Sequence, residues 1–198
     1  MLEIDLKKHN RDKLENLISG LLIPRPVVLV NTLSPEGVLN CAPFSFLQAV
    51  CWNPPLISLS ITRRYSGRKD TLKNILLGNE FVVNIARPEH IEKVEQAAED
   101  FPPEISEVEK LGIETVESSK VSVDGLKDFP VRLECKLRDQ ISLAAGGATV
   151  LFGEIIAVHV EDNILNKDKL PRPEKINPLI RTGHNLYARL GETILYKS

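Results

Sequence analysis

The 198-residue chain is 42% hydrophobic and 26% charged, enough apolar material for one substantial core, so a single domain over residues 1–198 is expected. Its formal net charge of -2, with both signs interspersed, gives neither the basic footprint of a nucleic-acid binder nor a polybasic membrane surface. It lacks any run of about 18 apolar residues, and the N-terminal "MLEIDLKKHNRDK" is charged rather than signal-like, so a cytoplasmic chain without membrane contact is expected.

In chain order, Leu14, Leu17, Ile18 and Leu21 recur at helical spacing and predict a short amphipathic helix over 10–20. "PRPVVLVNT" (24–32) is a β-branched strand opened by prolines, and "SPEG" (34–37) is a turn that reverses the chain into a hairpin. "NCAPFSFLQAVCWNPPL" (40–56) reads as one strand from the middle of a sheet, yet it carries Pro43. "LISLSIT" (56–62) alternates, with Ile57, Leu59 and Ile61 on one face and Ser58, Ser60 and Thr62 on the other. "DTLKNILLG" (70–78) predicts a helix with Asp70 as N-cap and Gly78 as its stop. "NEFVVNIA" is a strand with Phe81, Val83 and Ile85 opposite Asn84, and residues 87–113 form a solvated acidic excursion broken at Pro102 and Pro103. "VRLECKLRDQISL" and "ATVLFGEIIAVHVED" are two further strands joined through "AGGA", and the tail over 165–198 offers no firm element. About six strands without strict strand–helix alternation predict a mainly β, antiparallel barrel or sandwich with helical additions, rather than parallel winding.

Proline has no N–H, so Pro43 deletes a ladder rung unless it sits at an edge, a bulge or a strand start. If the sheet opens over 42–46, the freed carbonyl and amide groups need partners. A planar heterocycle with donors and acceptors along one edge supplies them, and the pyrimidine side of a flavin has that pattern; the competing reading is a solvent-wet edge. Arg63, Arg64, Arg68 and Lys69, with Ser66 and Thr71, precede a helix start and suit an anion such as a phosphate. Asp70 as N-cap would repel a dianion, so the side chains rather than the helix axis would grip it. The competing reading is a solvated basic turn.

The joint pattern "LNCAPFSFLQAV", "NPPLISLSI", "RKDTLKNI", "EFVVNIA", "LFGEIIAVHVED" and "LIRTGHNLYARLGE", preceded by "PRPVVLV", resembles the flavin reductase-like, or flavoredoxin-type, FMN-binding split-barrel proteins over roughly residues 20–192. The resemblance implies a six-stranded Greek-key barrel, a homodimer, and FMN near the dimer interface, with FAD as the other candidate cofactor. It implies that Asn40, Ala42, Pro43, Phe44, Ser45 and Phe46 line the isoalloxazine. It likewise implies that Ser60, Thr62, Arg63, Arg64, Lys69, Asp70 and Thr71 surround the ribityl phosphate. His184 stands where the family's terminal segment commonly has glycine.

His184 and Tyr187 are candidates to approach the ring, His184 as the tentative catalytic proton donor or acceptor; an exposed loop histidine is the alternative. His159 shares a face with Leu151, Ile155 and Ala157, which suits a hydrogen-bonded core histidine. Cys41, Cys51 and Cys135 lack CxxC spacing and are odd in number, so free thiols that pack are expected and no metal site is signalled; Trp52 caps either the flavin or a barrel end. Neither hydrolase, P-loop nor GxGxxG motifs occur, so NAD(P)H would bind transiently over the flavin rather than in a dinucleotide pocket. The expected activity is NAD(P)H-dependent flavin or ferric reduction through bound FMN, delivered to a small-molecule or protein acceptor. The alternatives are an FMN electron carrier without nicotinamide turnover and a split-barrel scaffold that has lost flavin.

Overall fold

The structure is a computed structural model that describes residues 1–62, 69–143 and 147–196. Its helices are α1 (Arg11–Leu21), α2 (Asp70–Gly78), α3 (Ile91–Gln96), α4 (Glu107–Lys110) and α5 (Pro173–Ile176). The longer strands are β2 (Val28–Leu33), β3 (Leu39–Phe44), β4 (Leu47–Trp52), β5 (Pro55–Thr62), β6 (Glu80–Ile85), β9 (Val131–Leu143) and β10 (Ala148–Val160). Two-residue strands complete the set: β1 (Arg25–Pro26), β7 (Thr115–Val116), β8 (Gly125–Leu126), β11 (Ile180–Arg181) and β12 (Tyr187–Ala188).

The seven long strands form one antiparallel sheet in the order β3-β2-β6-β9-β10-β5-β4, one strand more than the six expected. The extra strand arises because residues 40–56 are not one strand: the run breaks after Phe44 and resumes at Leu47, and its halves occupy opposite edges of the sheet. Laid flat, six interstrand spacings of about 4.8 Å would separate those edges by about 29 Å. Three Cα steps from Phe44 to Leu47 span at most about 11 Å. The sheet must therefore curl until its edges approach at residues 45–46; the β4–β5 pairing runs on into this link, the Ser60 amide donating to the Phe46 carbonyl at 3.0 Å.

Val28, Val30, Leu59, Ile61, Phe81 and Leu151 fill the interior of the curl, joined by Leu72 and Ile75 of α2. Gly153 is required here, because a Cβ on it would lie 2.3 Å from the tip of the Phe81 ring. The other face of β2 and β3 carries a second core, in which Leu29 and Cys41 meet Val94, Ala97, Val108, Ile113, Leu126 and Phe129. Residues 87–113 are thus a packed cover and not the solvated excursion their acidity suggests. Asn84 is buried beneath this cover: its side chain donates to the Leu29 carbonyl at 3.0 Å and accepts from the Leu126 amide at 2.9 Å.

The helix expected over 10–20 is α1, capped by Asn10, which accepts from the Lys13 amide at 2.9 Å, but Ile18 and Leu21 of its apolar stripe stay exposed. The N-cap of α2 is Lys69, without a side-chain cap, and Asp70 is the first helical residue; the left-handed stop is Asn79 rather than Gly78. The tail is better ordered than its composition suggests: β11 pairs with β1 and β12, and Leu179 joins the second core. His159 donates or accepts at Glu134 Oε1 (2.5 Å), and the Glu134 carboxylate also accepts the Ser119 and Lys120 amides at 2.8 and 2.6 Å. Burial alone would raise Glu134, but those amides and His159 outweigh it and hold the carboxyl below the usual range.

Candidate functional site

Ladder alternation decides which way Pro43 faces. In β3, the Leu39 carbonyl accepts from Ser106 Oγ at 2.7 Å and the Cys41 amide donates to Glu107 Oε2 at 2.9 Å, so odd-numbered residues turn their polar atoms away from β2. Pro43 shares that parity, so its nitrogen and carbonyl face the free edge. The proline removes no rung. It sits on an edge, as one of the two sequence readings holds, and the N terminus of α4 covers the edge only as far as Cys41.

Past that cover lies a cavity of about 250 Å³. Residues 42–46 line it from β3 and the link to β4, Ser60 and Thr62 from β5, Lys69 from the start of α2, and His184 from the turn between β11 and β12. Of the residues singled out in the sequence, Ala42, Pro43, Phe44, Ser45, Phe46, Ser60, Thr62, Lys69 and His184 line this one cavity. Lys69 Nζ lies 5.0 Å from the centroid of the Phe44 ring. His184 is exposed, and its carbonyl accepts from Arg181, which fixes the loop that carries the imidazole.

The remaining predicted residues lie elsewhere. Asn40 and Thr71 bond to each other, Asn40 Nδ2 donating to Thr71 Oγ1 at 3.1 Å, and with Asp70 they line small neighbouring clefts rather than the main cavity. Tyr187 does not line it: its hydroxyl donates to Glu95 and accepts from Arg181. Burial, then the Glu95 hydrogen bond, push its phenol up to about 12. Arg63 and Arg64 lie outside the described residues. Trp52 is 81% exposed at the end of β4 and caps neither the cavity nor the interior. Burial pushes the Cys41 and Cys135 thiols well above the ordinary range, so neither forms a thiolate readily, and Cys51 Sγ donates to the Pro54 carbonyl at 3.1 Å.

Sequence reasoning missed several walls: Glu15 and Ser19 of α1, Arg25 of β1, and Arg181 of β11. Arg25 and Arg181 sit opposite each other in the β1·β11 ladder. The only signal for them was their place inside two quoted motifs, "PRPVVLV" and "LIRTGHNLYARLGE", since nothing local says that those segments pair. Arg181 is fully engaged: it bonds the Gly183 carbonyl at 3.3 Å, the His184 carbonyl and the Tyr187 hydroxyl, and lies 3.5 Å from Glu95 Oε1. Among the described residues Arg25 makes one bond, to Ser45 Oγ at 3.2 Å, and lies 5.2 Å from the Phe46 ring centroid. Burial, then Arg181, push its guanidinium below the usual arginine range.

An open strand edge, wall hydroxyls and a lysine give the cavity its polar groups, and comparison with known proteins decides the family. The model of the flavin reductase like domain matches residues 20–181. The chain belongs to the flavin reductase like family. Among its relatives is an uncharacterized protein of Aquifex aeolicus, 38% identical over 189 residues and covering 95% of both chains. Among solved structures, nitrilotriacetate monooxygenase component B from Bacillus cereus is 34% identical and superposes with a TM-score of 0.93 over 99% of this chain and 98% of its own. The 2-nitrobenzoate 2-nitroreductase of Pseudomonas fluorescens is 29% identical, with a TM-score of 0.89 over 100% and 96%. This flavin reductase like chain therefore shares its overall fold with these two solved structures. No helix is long and apolar enough to cross a membrane, and no cluster of metal-ligating side chains occurs among the described residues.

Proposed function

We propose that this flavin reductase like protein is an FMN-dependent oxidoreductase that takes electrons from NADH or NADPH and passes them to a small acceptor. The observation that carries the reading is the convergence of residues 42–46, Ser60, Thr62 and Lys69 on one cavity beside a strand edge left open at Pro43. The edge carbonyl and the Ser45 hydroxyl suit the polar rim of a flavin ring, while Lys69 and the Ser60 and Thr62 hydroxyls suit its phosphate. Arg63 and Arg64 are assigned to the same phosphate by the motif alone. Bound FMN would supply two-electron chemistry, accepting hydride from a nicotinamide and releasing electrons one or two at a time.

The chain's own residues bind and orient. Phe44, Phe46 and Val27 give the cavity apolar walls that exclude water, and His184, on its fixed loop, can give or take a proton at the cavity mouth. Asn40 and Thr71 position Lys69 from behind by tying β3 to the first turn of α2. A homodimer is part of the proposal: Ile18 and Leu21 of α1, Leu22 just past its end, and Phe46 of the cavity wall are exposed apolar residues that a second copy would cover. The lack of a dinucleotide fingerprint favours one rival, an FMN electron carrier that does not turn over nicotinamide.

The test is the absorbance spectrum of the purified protein after incubation with FMN, followed by anaerobic addition of NADH or NADPH. A flavin spectrum that bleaches with nucleotide is the expected result. Bound flavin that bleaches only with a reduced partner protein would establish the carrier, and a protein that takes up no FMN would remove both readings.

A further inference from the structure

The cavity holds a cation that neither the fold nor the phosphate assignment uses. Among the described residues Arg25 has one hydrogen bond for five N–H donors, its buried Nε has no acceptor, and no carboxylate lies within ion-pair distance of it. Its ladder partner Arg181 differs: Glu95, the Tyr187 hydroxyl and two carbonyls satisfy that guanidinium. A half-buried, uncompensated charge beside a like charge is unfavourable until an anion joins it.

We propose that Arg25 recognises the carboxylate of a small organic acid that serves as the acceptor substrate. This rests on the flavin reading for what happens to the substrate, though not for its binding. A guanidinium matches a carboxylate with two parallel N–H donors, and the single bond to Ser45 among the described residues leaves Arg25 with donors to spare for such an anion. The Phe46 ring beneath the guanidinium and the side chain of Val27 offer an apolar bed for the acid's carbon skeleton. Charge selects the carboxylate over a phosphoryl group: Arg181 is already paired with Glu95, and Glu15 stands on the same cavity wall. The surplus at this end therefore suits a monoanion, and a phosphate dianion or a dinucleotide's pyrophosphate would be undercompensated.

Benzoate and its neutral isostere benzamide are the probes. Each is titrated calorimetrically into the protein with and without FMN, and flavin absorbance is followed in the loaded form. Benzoate is expected to bind at least tenfold more tightly than benzamide. Arg25→Gln should abolish that preference while leaving benzamide binding and FMN retention unchanged, and Arg25→Lys, which keeps charge but loses the fork, should fall between. Circular dichroism of both variants checks that the β1·β11 pairing survives; if the glutamine variant fails to fold, the lysine variant decides. Equal binding of benzoate and benzamide, or a preference untouched in the variants, would overturn the assignment. So would loss of FMN in Arg25→Gln, which would give the guanidinium to the cofactor, or tighter Arg25-dependent binding of inorganic pyrophosphate than of benzoate. If the wild-type protein binds benzoate in an Arg25-dependent way yet takes up no FMN, the flavin reading fails and this one stands.

Discussion

Gly153→Ala tests the curled interior on which the cavity depends. The new Cβ would stand 2.3 Å from Phe81 Cζ and 2.9 Å from Cε1, where carbon contacts settle at about 3.5–4.0 Å. More than an ångström must be given by one side, and neither is free: Phe81 is fully buried, and Gly153 is held between Leu137 of β9 and Ile57 of β5. Overpacking typically costs about 1–3 kcal/mol, and a clash this deep belongs at the top, about 3 kcal/mol. At about 2–4 °C per kcal/mol for a chain of this size, Tm should fall by about 6–12 °C in thermal unfolding followed by circular dichroism. Phe81→Leu alone costs about 1–2 kcal/mol in lost burial. Added to Gly153→Ala, it should relieve the clash, so that the double variant is more stable than additivity predicts by at least about 1 kcal/mol. A Tm within 2 °C of wild type for Gly153→Ala, or strict additivity, would show that the Phe81 ring does not cross β10 where the structure places it.

Pro43→Ala should lower stability slightly, by about 0.4–1 kcal/mol, because only the restriction of the unfolded chain is lost; a rise in Tm would mean that the proline had been suppressing a ladder bond to β2. Lys69→Ala should weaken FMN binding by about 10–100-fold, the worth of one charge-assisted hydrogen bond, and unchanged retention in fluorescence titration would refute the phosphate assignment. His90 is buried against Phe129, its Nδ1 accepting the Arg87 amide at 3.1 Å, and burial lowers its pKa. The unfolded chain then binds the extra proton first, so stability should drop as pH falls below about 6.5, by at most about 1.4 kcal/mol per pH unit. His90→Gln should flatten that limb in denaturant titrations at several pH values.

Local periodicity made much of this molecule legible. The alternation of Ile57, Leu59 and Ile61 gave β5 its core face, Ser60 and Thr62 of the opposite face line the cavity, and Leu72 with Ile75 gave α2 its buried side. The break between β3 and β4 was not legible because Ser45 and Phe46 carry no turn signal; the separation of the two halves comes from closure of the sheet, a long-range property. The acidic cover over 87–113 misled for a related reason. Its few apolar residues, Val94, Ala97, Val108 and Ile113, look sparse until they meet Leu29 and Cys41. Arg25 was hidden because its meaning depends on Arg181 opposite and on the lack, among the described residues, of a carboxylate within ion-pair distance, and neither fact is visible within "PRPVVLV".

An uncovered edge strand is a hazard as well as an opportunity, since free N–H and C=O groups invite another strand. In β3 the cover supplies Ser106 to the Leu39 carbonyl and Glu107 to the Cys41 amide, then stops. Two residues on, the next outward donor is missing because the residue is proline. From that point the edge offers acceptors but no matching donor, so a second strand cannot zip onto it, while a ligand that brings its own N–H can still bind. The residue that looked like a flaw in a buried ladder therefore closes the edge to pairing in register, and under the proposed function its carbonyl faces the polar rim of the cofactor.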